Sequence, residues 1–186
     1  AMLREMSVGG ASADTQESVD LANRLKSEYG GTTYAQFAAL HLAAMAVGAG
    51  ELAQAEGELR WVLGKAGNGS DTSLVAQMRL ARVLAASGQT DQALAILSEG
   101  GEGAYAASYA VAEGDILLAA GRDDEAREAY GKALAMSGGG MANLPALQQK
   151  MQSLTPVPPR ALETQSGAPS EAAEPVADNI AEVPEE

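Results

Sequence analysis

Apolar residues recur at helical spacing from about residue 14 to residue 154, and glycines punctuate them. Asp14 with Glu17 three positions later fits a helix start, because such side chains accept hydrogen bonds from the unpaired N–H groups of a first turn. Val19, Leu21, Ala22 and Leu25 make the apolar stripe of this helix, which is expected to end at Gly30. Thr33 and Gln36 read as a capping box for a second helix from about Tyr34 to Gly48, with Phe37, Leu40, Ala44 and Val47 on one stripe. Its partner is predicted from about Glu51 to Leu63, with Leu52, Ala55, Leu59, Val62 and Leu63 inward. The Lys65–Asp71 stretch is a loop by its Gly, Asn and Ser content. Two further pairs follow, over about Thr72–Ser87 with Thr90–Ser98 and Ala104–Ala120 with Asp123–Met136. After Gly138-Gly139-Gly140, Asn143 followed by Leu144-Pro145 reads as a cap with proline in the first turn. It opens a last helix to about Leu154.

The three pairs share one template. Gly50, Gly88 and Gly121 each close a first helix, where a left-handed backbone costs least. Ala55, Ala93 and Ala126 follow five residues on, and Leu59, Leu97 and Tyr130 four residues after those. Gly114, seven residues before Gly121, and Ala133 complete the third copy. The offsets between copies are close to the ~34-residue period of tetratricopeptide (TPR) repeats. The pattern predicts an all-α, TPR-like solenoid of three helix pairs with one flanking helix before and one after. Residues 14–154 form this domain, and function is expected in a surface rather than a catalytic pocket.

Composition narrows the partners. Alanine-rich helices with few aromatic residues, 4% of the chain, suit close helix approach. A net charge of −13 argues against nucleic acid and against direct docking on anionic lipid. The chain has no cysteine and His41 is its only histidine, so a zinc site is implausible and no metal or other cofactor is expected. No local motif suggests a Ser-His-Asp triad and no GK[ST] follows the glycine clusters, so an enzyme is the weakest reading. No run of 18 apolar residues is present. Ala1-Met2 reads as a cloning scar, with 1–13 a flexible N-terminal segment of a truncated chain. From 155 to 186 six prolines and seven acids against one arginine leave a charge of −6. This stretch reads as a disordered acidic, Pro-rich tail.

The stretch from about Val19 to Leu154 resembles the periplasmic domain of YfgM-type proteins, ancillary subunits of the bacterial SecYEG translocon. The residues that carry the likeness are Thr33-Tyr34-Ala35, Leu40, Leu42-Ala43, Met78-Arg79-Leu80-Ala81-Arg82-Val83 and Ala93-Leu94. It continues through Gly101-Glu102-Gly103, Gly114, Leu117-Leu118, Gly121, Ala126-Arg127 and Gln149-Lys150-Met151. The resemblance implies an inner-membrane protein with one N-terminal transmembrane helix, absent here, and a periplasmic TPR-like domain. It also implies association with SecYEG and with the membrane-anchored chaperone PpiD. The acidic tail is not part of the resemblance. A different bacterial envelope TPR scaffold, not tied to secretion, is the alternative.

The candidate partner-binding residues fall on two faces. Arg79 and Arg82 lie about one turn apart on the first helix of the second pair. They either meet a carboxylate or carbonyl of a bound segment or pair with Glu113 or Asp115 and fix repeat packing. Phe37, Leu40, Val75 and Met78 form an apolar groove floor or belong to the core. With Asp115 on the third pair, Phe37, Leu40, Met78, Arg79 and Arg82 make the expected groove set. Trp61 stands off the inward stripe of its helix and is a convex-face anchor, unless the preceding helix or the loop after Lys65 covers it.

Overall fold

In a computed structural model the described residues are 16–101, 103–137 and 144–154. The chain separates into two units, Ala1–Thr155 and Pro156–Glu186, and all described residues belong to the first. The expectations for Asp14, Asn143, Gly138-Gly139-Gly140, the 1–13 segment and the tail lie outside the described residues.

The described residues are all-α. Helix α1 covers 16–28, followed by α2 (Thr33–Ala49), α3 (Leu52–Lys65), α4 (Asp71–Ala86) and α5 (Thr90–Ser98). A short 3₁₀ turn over Gly103–Tyr105 leads into α6 (Ala106–Ala119), then α7 (Asp123–Ser137) and α8 (Leu144–Ser153). The helices α2, α4 and α6 neighbour one another in one layer. Helix α3 packs on α2 and α4, α5 on α4 and α6, and α7 on α6 and α8. This is the predicted stack of three pairs with a helix at each end.

The repeat is visible in the backbone hydrogen bonds. Gly50, Gly88 and Gly121 have φ of 78°, 81° and 72°. The next residue donates back across each turn: Glu51 to the Ala46 carbonyl, Gln89 to Leu84 and Arg122 to Leu117, at 2.8–2.9 Å. This six-residue closure satisfies carbonyls that a helix end otherwise leaves unpaired. One step of the predicted capping is different. The cap of α2 is Thr32, whose Oγ1 accepts from the Ala35 N–H at 3.3 Å. Thr33 is the first helical residue, and Gln36 donates to the Lys65 carbonyl at 3.4 Å instead of closing a box.

Small residues decide which face of each helix is buried. Ala55, Ala93 and Ala126 are fully buried, as are Leu59, Leu80 and Leu84 beside them. A leucine in place of Ala93 or Ala126 would overpack these helix contacts and cost about 1–3 kcal/mol. Thermal unfolding of either variant should fall accordingly, and a variant as stable as the parent would remove the repeat register. In α2 the buried residues are Ala35, Gln36, Ala38, Ala39, Leu40, Leu42, Ala43 and Ala46. Of the predicted stripe only Leu40 is buried; Phe37 is 55% exposed, Val47 47%, and Ala44 is also exposed. Close approach selects the alanine-rich face, with Leu40 and Leu42, and turns Phe37 and Val47 outward. In α1 likewise Ala22 is buried with Val19 packed beside it, whereas Leu21 and Leu25 are exposed.

The C-terminal end is closed by α8. Leu147 is buried, and Met151 and Leu154 pack on Leu117, Ala126 and Tyr130. The Tyr130 hydroxyl donates to Asp115 Oδ1 at 2.8 Å, and Lys150 also bonds that oxygen. Burial, and then the Asp115 carboxylate, push the Tyr130 phenol up from 10.0; burial raises Tyr109 as well. The folded chain therefore holds these protons more tightly than the unfolded chain. Stability from this source is complete below pH 10 and is lost as pH rises above it. Melting temperature should fall above pH 10, and less steeply in Tyr130→Phe; equal slopes would contradict the assignment.

Candidate partner-binding groove

Between α2 and α4 the outward residues enclose a groove. Its deeper part is a cavity of about 280 Å³ lined by Ala44 and Val47 of α2, Leu52 and Leu59 of α3, and Arg79, Arg82 and Val83 of α4. A shallower part of about 850 Å³ continues toward the start of the same helices, past Phe37, Leu40, His41 and Val75 to Asp71 and Tyr105. Ala44 and Arg79 line both parts. No carboxylate lines the deeper cavity.

The two arginines are exposed and differently held. Arg79 Nη1 donates to the Leu40 carbonyl at 3.4 Å, a long contact that ties α4 loosely to α2. Arg82 makes no hydrogen bond or ion pair among the described residues. Neither pairs with Glu113 or Asp115, whereas the Arg79 contact to Leu40 does join two repeats. Glu113 lines a separate cavity with Leu94 and Arg122. Asp115 is engaged by Tyr130 and Lys150. Ala44, Arg82 and Asp115 each stand six residues before a turn glycine, so they share a repeat position. Only Arg82 has charge to offer there, because that of Asp115 is taken up by Lys150.

The other expected residues divide. Phe37 and Leu40 line the shallower part. Met78 is half-buried, packs against the main core and lines neither cavity. Trp61 is half-buried on the same core, and Lys26 stands over its ring at 5.2 Å from the centroid. Lys26 also pairs with Glu58, so α1 contributes to the cover over Trp61. Ala44, Val47 and Leu52 are groove residues that a core-stripe reading assigns inward. For Ala44 and Val47 the sequence signals a second apolar face but not which face it is, because α2 is apolar nearly all round. Among the described residues no cluster of three metal-ligating side chains occurs, and no helix is long and apolar enough to cross a membrane.

Repeated helix pairs, glycine turns in one register and a groove along the first helices define a protein-interaction solenoid. The chain matches the tetratricopeptide repeat-like domain family over residues 1–156 and belongs to it. No curated protein and no solved structure matches the chain.

Proposed function

We propose that this chain is a non-enzymatic interaction module, an ancillary subunit of the SecYEG translocon that links it to PpiD-like periplasmic chaperones. It works on the periplasmic side of the bacterial inner membrane and takes a segment of a partner protein in the α2–α4 groove. Membership of the TPR-like family supports the interaction role. The resemblance carried by the Met78–Val83 and Gly101–Gly103 segments supports the translocon setting. The observation that carries the groove is Arg82, a guanidinium without a partner among the described residues, beside an apolar cavity open to solvent.

The test is capture of SecYEG and PpiD from bacterial membranes by the full chain and its variants. Arg82→Ala should weaken capture while circular dichroism and melting stay close to the parent, because the side chain is exposed. Photocrosslinkers at Phe37 and Val47 should mark the partner. Loss of binding in Trp61→Ala with Arg82→Ala neutral would move the site to the other face. Intact groove crosslinks to envelope proteins, with SecYEG and PpiD absent, would leave a scaffold unrelated to secretion.

A further inference from the structure

The groove has an apolar deeper compartment and a shallower one of mixed apolar and polar lining, and Arg79 stands where they meet. Arg79 lines both compartments, and Arg82 lies one turn further along α4 in the deeper one. From Thr33 to Val47 the groove follows α2 for roughly 21 Å at about 1.5 Å per residue. That is the length of about six extended residues. Its occupant is therefore a stretch of chain rather than a single side chain.

A guanidinium has donors and no acceptor, and its best complement is a carboxylate. The deeper compartment supplies none of its own, and Asp71 of the shallower one stands eight residues, about 12 Å, before Arg79 on α4. The net charge of −13 works against a run of acids in the partner, whereas one acid among apolar residues meets only the local field of Arg79 and Arg82. The compartments extend to both sides of Arg79. A chain ending at that cation would leave one compartment empty, while an internal acid fills both.

Resting on the groove reading above, we infer that the α2–α4 groove selects an internal partner segment in which one Asp or Glu lies between apolar residues. The acid meets Arg82 and Arg79. The apolar side chain on one side enters the cavity of Val47, Leu52 and Leu59, and the other side lies along Phe37, Leu40 and Val75.

The experiment is selection of a random linear peptide library, displayed without free C-termini, against the full chain. Enriched sequences should hold one Asp or Glu flanked on both sides by Leu, Ile, Val, Met or Phe. Synthetic amidated copies, measured by fluorescence anisotropy, should bind Arg82→Ala about tenfold more weakly or worse, the scale of one charge-assisted hydrogen bond. They should lose binding to Arg82→Glu, and a Lys in place of the peptide acid should restore it. Enriched sequences without an acid, or acid-bearing ones that bind Arg82→Glu as well as the parent, overturn the inference. If such acid-free peptides still lose affinity in Phe37→Ala, the groove still takes protein segments and only the acid requirement falls. A library that yields nothing dependent on Phe37 or Arg82 removes the groove reading along with it.

Discussion

Tyr130→Ala should destabilise the chain by about 3–5 kcal/mol, because a fully buried ring leaves a cavity that the helices cannot fill. The ring lies directly on Gly114 of α6: a Cβ added there would stand 2.5 Å from Tyr130 Cε1 and 2.6 Å from Cδ1. Those distances are far inside van der Waals contact, and the obstacle is a ring in the core, not the mobile end of a surface side chain. Gly114→Ala is therefore expected to cost about 1–3 kcal/mol by overpacking, even though alanine is the better helix former by about 1 kcal/mol. The two residues must couple. With Tyr130 reduced to leucine the obstacle is gone, so Gly114→Ala should become neutral or stabilising through helix propensity. Denaturant unfolding of the four variants reads the coupling directly. An equal cost for Gly114→Ala in both backgrounds would show that the ring and the glycine do not meet.

The contact also explains why the third repeat was the most legible in the sequence. A repeat position held by Ala43 and Ala81 in the first two pairs becomes Gly114 where the partner side chain grows to Tyr130. Small-against-large pairing survives in spacing alone, so the helix pairs, their glycine turns and the buried alanines could be read without coordinates. The orientation of α2 could not. Its residues from Ala35 to Val47 are almost all apolar, and a period of 3.6 has no contrast in such a run. Phe37, Leu40, Ala44 and Val47 satisfy helical spacing as well as the alanine face does. What separates them is tertiary packing, which buries the alanine-rich side together with Leu40 and Leu42 and leaves Phe37, Ala44 and Val47 outside.

The site was legible in part for the same reason. Arg79 and Arg82 interrupt the otherwise apolar run from Met78 to Ala86, and that interruption marks the face that cannot be core. Met78 beside them carries no such mark, and its flexible side chain packs inward. Asp115 shares the repeat position of Arg82, yet its role is set by Tyr130 and Lys150, 15 and 35 residues away. Partners that distant are not encoded in local spacing. Part of the cover over Trp61 likewise comes from Lys26, 35 residues earlier in the chain.

Tyr109→Ala should be comparably costly, about 3–5 kcal/mol, and should also reach the groove. Tyr109 is a buried residue of α6 whose hydroxyl donates to the Leu74 carbonyl of α4 at 2.8 Å, with Gln77 Oε1 2.9 Å away. Its ring lies on the chain between α5 and α6. A Cβ at Gly100 would stand 2.6 Å from Tyr109 Cε1, and one at Gly101 2.8 Å from Tyr109 Cβ. Gly101 also has φ of 92°, so a side chain there is strained as well as crowded. One tyrosine thus fixes α4, the loop and α6 together. Tyr109→Phe keeps the ring and removes one hydrogen bond, so it should cost only about 0.5–1.5 kcal/mol. Helix α4 carries Arg79 and Arg82, so releasing its anchor moves the cationic side of the groove. Peptides selected on the parent should therefore bind Tyr109→Ala more weakly at temperatures where it remains folded, and bind Tyr109→Phe nearly as well as the parent. Hydrogen exchange gives the structural readout, with protection falling in α4 and α6 of the alanine variant while α2 and α3 keep theirs. Uniform loss of protection across all the helices would show a general destabilisation and no local anchor at Tyr109.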